Sequence, residues 1–439
     1  MSINPDNFIQ WFRAAAPYIH SHRGKTFVLH FGGELTDSAV FPHLIHDIAL
    51  LNSLGIRIVI VFGARSRIER QLLEKNIQPK LVSGLRLTDE ETLEVVKQAV
   101  GSLRIQIEAL LSMGLPNSPM AQASIKVSSG NFVIAKPKGV IDGIDLEFTG
   151  SVRRVDAESI ITNLNNHEIV LISPLGYSLT GEVFNLSSIE TATQTAISVC
   201  ADKLIFLMSE AVYSNESGEF IEILSEEQAE TFLQDKDIDD GSVFAPLAAG
   251  VQASRKGVAR IHFINQSRDG SLMQELFSRD GVGTMLTDLP FDDLRTATID
   301  DIGGILELIQ PLEEKGILVR RSREKLEMEV DDYTVLIRDG AVIACAALHV
   351  YPGETAAELA CVAVHEDYQK MTRGKDLYLK AESDAIAKGV KKLFVLTTQA
   401  THWFLEQGFV EASVEELPVT RKQLYNYQRN SKVLVKNIN

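Results

Sequence analysis

Cysteine is scarce in this chain. There are 3 in 439 residues, Cys200, Cys345 and Cys361, odd in number, far apart and set in apolar runs. That pattern excludes a disulfide framework and paired zinc ligands, and it reads as reduced thiols packed in cores. No metal is expected. Long apolar runs are missing too: none reaches the roughly 18–20 residues a membrane helix needs. The opening MSINPDNFIQWFRAAAPYIH has no basic segment leading into an apolar one, so no secretion signal is read. The expectation is a cytoplasmic protein with no membrane partner. Basic blocks are also absent. Lys and Arg total 43 against 59 Asp and Glu, a formal net charge of −16, which argues against nucleic acid as a partner. An anionic ligand can bind such a surface only where local positive charge outweighs the global field.

What is present is an ordinary globular balance, 45% hydrophobic and 23% charged, on a chain too long for one core. Two or three domains are expected. TDLPFDDLR sets a proline among acidic residues between two ordered-looking stretches, which marks a boundary. The reading is a first domain over 1–288, a linker over 289–294 and a second domain over 295–439. No internal repeat or low-complexity segment is visible. In the first part, FVLHFGG (Phe27 to Gly33) reads as a strand ending in two glycines. FPHLIHDIALLNSLG reads as an amphipathic helix closing at Gly55, and IRIVIVFGAR (Ile56 to Arg65) as a second buried strand. Strand, helix and strand with a short return imply a parallel pair and an α/β layered fold. Glycines at strand ends mark either a phosphate cradle or a tight turn. Before the first strand, Phe8, Ile9, Trp11, Phe12, Tyr18 and Ile19 load a helix over 5–20 with apolar surface that must be buried against something, within the chain or outside it.

The most informative stretch is ELACVAVHEDYQKMTRGKDLYLKA, Glu358 to Ala381. Leu359 to Val364 is a short buried strand, and Gly374 opens a helix with Leu377, Leu379, Ala381 and Ile386 towards one side. The free N–H groups of that helix point at the loop from Gln369 to Arg373, with Lys370, Arg373 and Lys375 adding charge, and together they form an anion site suited to pyrophosphate. The spacing Q-x-x-T-x-G at Gln369, Thr372 and Gly374 also fits a junction with no ligand. Context favours the site. Tyr333 to Tyr351 is two apolar runs joined by Asp339-Gly340, a hairpin signal. KKLFVLTT is a further buried strand, followed by a helix across His402 to Gln407 and then Gly408-Phe409.

This order resembles the GNAT acetyltransferase family, with a central mixed sheet in an α+β domain. The resemblance implies that the strand ahead of the glycine loop splays from its neighbour and that acetyl-CoA lies in the gap. The backbone of Cys361, Val362 and Ala363, with Gln369, Lys370, Thr372, Arg373, Gly374 and Lys375, would hold it. THWFLEQGF is similar to the family's distal motif. Thr372 stands where the family has its first glycine, which puts the closest backbone-to-phosphate approach in doubt.

Phe27 through Leu286 resembles the amino acid kinase family, most of all its acetylglutamate kinase branch, which implies an open sheet sandwiched by helices. ELFSRDGVGTML (Glu275 to Leu286) is similar to the signature of its arginine-inhibited members, and FNLSSIETATQTA occupies the place of their N-x-N-A-D segment. Three departures stand out: His30 replaces the phosphoryl-stabilising lysine, Ile189 the organising aspartate, and Met208-Ser209 the Thr-Asp pair near the nucleotide. Phosphoryl transfer depends on positioned cations and their organisers, so kinase activity is not expected. The domain is then either a scaffold or a site for arginine as inhibitor, with Glu275, Gly281 and Gly283 carried over as its ligands. The arginine-sensitive kinases interlace their N-terminal helices into a hexamer, so the resemblance implies a homo-oligomer, a hexamer.

The fusion of the two halves resembles the N-acetylglutamate synthase family. It is supported further by SGNFVIAKPKGVIDGIDLEFTGSVRRVD, ILVRRSREKLEME and QLYNYQRNSKVL. The resemblance implies acetyl transfer from acetyl-CoA to the α-amine of L-glutamate, the first step of arginine biosynthesis, with feedback inhibition by arginine. An α-amine is mostly protonated at neutral pH, its pKa being about 8, so a base is needed. Glu358, at the head of the proposed cofactor strand, is the candidate, acting through a water; its alternative is an exposed strand end. Backbone amides of Cys361 to Ala363 would hold the oxyanion. Cys361 itself is a core thiol or a nucleophile. The leaving thiolate needs an acid, and the region after the next strand offers Thr397, Thr398 and His402; His402 also reads as a helix-surface residue. Arg321, Arg429 and Ser431 are carried over as the clamp on glutamate's two carboxylates. Other readings remain: an acetyltransferase for another amine, a surviving kinase, or a non-catalytic arginine sensor.

Overall fold

The computed structural model describes the chain except residues 1–4, 117, 213–219, 235, 237–243, 279–280, 288–291, 339–340, 352, 370–372, 428 and 439. It divides into two compact units, Met1–Leu289 and Pro290–Asn439.

The first unit is built on an eight-stranded sheet of Thr26–Phe31 (β1), Arg57–Phe62 (β2), Val127–Ser129 (β3), Ile169–Ile172 (β4), Lys203–Met208 (β5), Ile223–Leu224 (β6), Arg260–Asn265 (β7) and Thr284–Leu286 (β8). Its order is β6-β8-β7-β5-β1-β2-β4-β3. β1 pairs parallel with β2 and β5, as the strand-helix-strand pattern requires, and only β7 to β8 runs antiparallel. Every residue of β1 and β5 is buried, so both read as unbroken apolar runs, the mark of a sheet covered on both faces. One cover contains the helices Phe41–Ser53 and Glu90–Leu111, the other Ser188–Ser198 and Ala245–Arg255. The glycines at the strand ends serve close approach. A Cβ on Gly63 would meet the Cα of Gly32 at 3.2 Å, and one on Gly33 the Cα of Ala64 at 3.1 Å.

The N-terminal helix runs Pro5–His22. Ala15 is buried, and Tyr18 and Ile19 pack against the core, while Phe8, Ile9, Trp11 and Phe12 stay about half exposed. Only the C-terminal half of the helix therefore finds its partner within the chain. Among the described residues no helix is long and apolar enough to cross a membrane.

The second unit holds a seven-stranded sheet of Asp292–Thr296 (β9), Tyr333–Arg338 (β10), Ala341–Tyr351 (β11), Ala356–Val364 (β12), Lys392–Thr397 (β13), Val410–Ala412 (β14) and Lys432–Asn437 (β15), in the order β9-β10-β11-β12-β13-β15-β14. Residues 292–294, read from sequence as linker, are instead the first of an edge strand paired with β10. An edge tolerates the acidic side chains that made them look like a loop. β10 and β11 form the expected hairpin, Arg338 facing Ala341, with the Asp339-Gly340 turn outside the described residues.

Two large cores cover this sheet, beside a smaller one of Ala356, Phe394, Leu417, Val433 and Val435. One contains Leu377, Tyr378, Ala381 and Ala385 of the helix Arg373–Ala387, the other Ile302, Ile305, Leu308 and Ile309 of the helix Ile302–Glu314. Along β12 the alternation between these faces breaks. Ala357 and Leu359 belong to the first core, Cys361 and Ala363 to the second, although four positions two apart would share one face of a regular strand. An extra residue accounts for it: Cys345 faces Ala363 but Ala347 faces Ala360, and Cys361 takes a left-handed φ of 51°. This is a β-bulge, which bends the strand.

Candidate active site

β12 and β13 run parallel but pair for only three residues, ending at Glu358 opposite Phe394. Beyond that point β12 continues to Val364 and β13 to Thr397 with no ladder between them, so the strands part in a V. The bulge at Cys361 supplies the bend. The resulting gap leaves backbone groups of β12 from Leu359 to Val364 without partners on the β13 side, the kind of donors a carbonyl oxygen can use. The expected splay is therefore present, and Glu358 sits at its apex.

Glu358 is buried rather than an exposed strand end. Its carboxylate is held in a fork by Arg421, with Nε donating to Oε2 at 2.6 Å and Nη2 to Oε1 at 3.0 Å. The Tyr351 hydroxyl donates to Oε2 at 3.2 Å. Burial and the neighbouring Glu358 charge push the Tyr351 hydroxyl up to about 12, so it stays a neutral donor. Burial works against Arg421's charge, but the Glu358 fork outweighs it and raises the guanidinium.

Two more arginines lie within electrostatic range. Arg429 is lowered, first by burial and then by the charges of Arg321 and Arg421. Its Nη2 donates to the Ile317 carbonyl, while its buried Nε has no hydrogen-bond partner among the described residues. Arg321 donates to the Val319 carbonyl at 2.9 Å. Burial would lower it, but the influence of Cys361, Tyr333 and Cys345 prevails and it is raised. Three guanidiniums within range of one another, of which Glu358 pairs with Arg421, invite anions, because like charges brought together in a partly buried place require counterions. Ser431 is buried, its carbonyl accepting from Tyr425, and precedes Lys432, which faces Thr397 across the β13–β15 ladder. Arg321 and Arg429 are thus brought near Arg421, the residue that grips Glu358, and Ser431 lies two residues beyond Arg429, at the end of β13. Arg421 and Tyr351 complete the site, and no spacing rule links them to Glu358 in the sequence.

Thr397 closes the wide end of the V. Its Oγ1 accepts from the amides of Gln399 and Ala400 at 3.3 and 3.0 Å, which leaves the hydroxyl proton free to be donated. His402 lies exposed on the short helix Thr401–Glu406, which matches the helix-surface reading. Cys361 and Cys345 are buried, and the Cys345 thiol donates to the Cys361 carbonyl at 3.6 Å. The Cys345 thiol is raised by its hydrogen bond with Cys361 and by burial. At the phosphate end the helix begins at Arg373, one residue before the expected Gly374. A Cβ on Gly374 would meet Trp403 at 3.3 Å. Gln369 is exposed and donates to the Val364 carbonyl at 3.1 Å, and Lys375 is exposed. Lys370 and Thr372 lie outside the described residues.

The kinase-like unit has a different polar centre. His30, in the lysine's place, is fully buried, hydrogen-bonded to Ser188 at 3.0 Å, and lowered by burial to about 3. It carries no charge at neutral pH. Ile189 packs against the core. Glu275 is buried, and its oxygens are already engaged: Oε1 with His262 Nδ1 at 2.6 Å, Oε2 with the amides of Val282 and Gly283, each at 2.7 Å. The carboxylate of Glu275 and the amide of Gly283, both expected to meet a ligand, are thus bonded to one another, as a buried carboxylate demands. Gly281 takes φ 61°, and a Cβ there would strike Glu275 at 2.4 Å. Burial alone would raise Glu275; its hydrogen bond to His262 and the two amides outweigh it and hold it down to about 2. His262, lowered to about 4 mainly by burial, is neutral. Its Nε2 faces the Lys203 ammonium at 3.0 Å, so the tautomer that fits carries its proton on Nδ1 and relays between Lys203 and Glu275.

Residues 25–265 match the amino acid kinase family and 304–409 the GNAT acetyltransferase family. The fold and the split strand thus define an acetyltransferase domain joined to an amino-acid-kinase-like one. The chain is 50% identical over 431 residues to the amino-acid acetyltransferase of Pectobacterium carotovorum subsp. carotovorum, covering 97% of this chain and 98% of that one. It is 49% identical over 438 residues to that of Photobacterium profundum, covering 99% of each. The structure matches N-acetylglutamate synthase from Neisseria gonorrhoeae complexed with coenzyme A and L-arginine, with TM-score 0.87 and 36% identity over 98% of this chain and 99% of that one. The chain belongs to the amino-acid acetyltransferase family.

Proposed function

We propose that this enzyme moves the acetyl group of acetyl-CoA to the α-amine of L-glutamate, giving N-acetyl-L-glutamate and CoA. The observation that carries the reading is the buried Glu358 at the apex of the parted strands, gripped by Arg421, with Arg321 and Arg429 within electrostatic range of that arginine. Arg321, Arg429 and Ser431 hold the two carboxylates of glutamate. Glu358 accepts the ammonium proton through a water, and the freed amine attacks the thioester carbon. The developing oxyanion is met by backbone amides of Cys361 to Ala363. As the carbon–sulfur bond breaks, the second proton of the attacking nitrogen passes through the Thr397 hydroxyl to the departing thiolate, so that CoA leaves as the thiol, the product nitrogen is a neutral amide and Thr397 keeps a proton throughout. Gln369, Lys370, Thr372, Arg373, Gly374 and Lys375, the last three in the first turn of a 15-residue helix, carry the cofactor's phosphates. The relative from Neisseria gonorrhoeae is also known complexed with coenzyme A and N-acetyl-glutamate, which supports this choice of substrates.

The kinase-like unit is the regulatory part, where L-arginine binds at the Glu275 loop and inhibits. Its neutral His30 argues against a surviving kinase. The reaction is the first step of arginine biosynthesis, placed in the cytoplasm, in a homo-oligomer whose contacts include the exposed face of the N-terminal helix. The test is thiol release from acetyl-CoA with a panel of amines, with and without millimolar arginine. L-Glutamate should exceed L-glutamine and antibiotic amines by at least about a hundredfold, since a missing carboxylate leaves a buried guanidinium unpaired. Comparable rates with monocarboxylic acceptors would overturn the substrate assignment.

A further inference from the structure

Arg421 is the least expected member of the site, because it spends its whole fork on the residue that must act as base. A carboxylate has two lone pairs on each oxygen. On Glu358, Oε2 takes both Arg421 Nε and the Tyr351 hydroxyl, and Oε1 takes Arg421 Nη2. Three of the four positions are filled, and the one left lies on Oε1. An arginine fork is planar and holds a carboxylate in a single orientation, and a cation at that distance favours the carboxylate's charged form.

We propose that Arg421 is a positioning residue: it fixes Glu358 by both oxygens, leaves one lone pair of Oε1 as the proton acceptor, and takes no part in holding the substrate. The inference rests on the reading of Glu358 as the base. It also assigns the three guanidiniums. With Arg421 balanced by Glu358, Arg321 and Arg429 remain, two positive charges for two carboxylates, and the unpartnered Nε of Arg429 is the donor that waits for one of them. The site thereby selects a dicarboxylic amine by charge count as well as by shape. The charged and titratable groups around this centre are Arg421 on its short helix, Tyr351 at the end of β11, Arg321 and Arg429 near Arg421, and Glu329 near Tyr351.

The test uses the full-length enzyme with R421Q, R421K and E358Q, measuring kcat and both KM values. For R421Q kcat should fall by at least about tenfold, while KM for glutamate and for acetyl-CoA stays within about threefold, because the base is misplaced and no substrate contact is lost. R421K should recover at least about threefold of that rate and remain below the unaltered enzyme, because an ammonium keeps the charge but cannot span both oxygens. A KM for glutamate raised about tenfold or more in R421Q would overturn the proposal and make Arg421 a substrate ligand. An unchanged kcat in R421Q would also overturn it. If R421Q does not fold, R421K decides: unchanged kcat in that variant contradicts the need for a fork. E358Q separates the two levels, since substantial activity there sinks the base assignment itself, whereas an inactive E358Q beside an R421Q of unchanged kcat sinks only the positioning role.

Discussion

Arg429→Lys is the sharpest test of substrate recognition. Arg429 is partly buried, one Nη is spent on the Ile317 carbonyl, and its buried Nε has no partner among the described residues. Burial, and then the like charges of Arg321 and Arg421 nearby, lower it. A carboxylate arriving there satisfies the Nε donor and relieves the repulsion at once. A charged hydrogen bond of this kind contributes about 1.5–3 kcal/mol, and about 1.4 kcal/mol is a factor of ten. Lysine keeps the charge but cannot donate through Nε while holding the Ile317 carbonyl. The loss should sit at the low end, raising KM for glutamate about tenfold to thirtyfold. KM for acetyl-CoA should stay within about threefold, because no carboxylate of glutamate is involved in cofactor binding. Initial rates of thiol release, with each substrate varied at saturating levels of the other, give both constants. Equal rises in the two KM values would refute the reasoning, since they would mean that Arg429 supports the fold of the site rather than one ligand.

The first unit should lose stability in mild acid. His22 and His262 are lowered to about 4 and His30 to about 3, all mainly by burial. Their folded values lie below the ordinary 6.5, so the unfolded chain takes up protons first, and stability present above pH 6.5 drains away as pH falls towards 4. Glu275, held down to about 2, adds a loss below about 4.5, whereas Asp47, raised to about 6 chiefly by burial and by Asp269, works in the opposite direction between about 6 and 4. For His262 alone the fall from 6.5 to about 4 corresponds to on the order of 3 kcal/mol. Scanning calorimetry between pH 7.5 and 4.5 should show the unfolding temperature of this unit dropping steadily; a flat profile would contradict the burial argument. Cys361→Ala should keep the rate within about threefold, because direct transfer needs no thiol, and a thousandfold loss would favour a covalent acetyl-enzyme. Glu275→Gln should weaken arginine inhibition at least about tenfold by breaking the His262 and loop-amide bonds; full inhibition in that variant would place the arginine site elsewhere.

The layered fold was legible because its strands are so thoroughly buried. FVLHF and KLIFLM announce themselves as apolar runs, and the Asp339-Gly340 pair fixes a hairpin by its turn chemistry. The split between β12 and β13 could be named only through resemblance. Its physical cause is a bulge at Cys361, and a cysteine at positive φ leaves no local signal of the kind a glycine gives. The fork between Glu358 and Arg421 spans 63 residues, and the relay from Lys203 through His262 to Glu275 joins three separate elements. Pairings at such separations are set by strand order, which periodicity does not encode. The linker over 289–294 is legible in part: the two units divide between Leu289 and Pro290, but Asp292 and Asp293 look like loop until an edge strand makes room for them. Glu275 stands out through resemblance, but its bonds to the amides of Val282 and Gly283 in its own loop leave no signal in the sequence.

A crystal structure of the enzyme with coenzyme A tests the central claim most directly. The account places the pantetheine arm in the gap between Leu359–Val364 and the end of β13, the sulfur beside the Cys361 bulge and the pyrophosphate at the first turn of the helix that begins at Arg373. Coenzyme bound against the glycines at the ends of β1 and β2, or anywhere outside that gap, would contradict it.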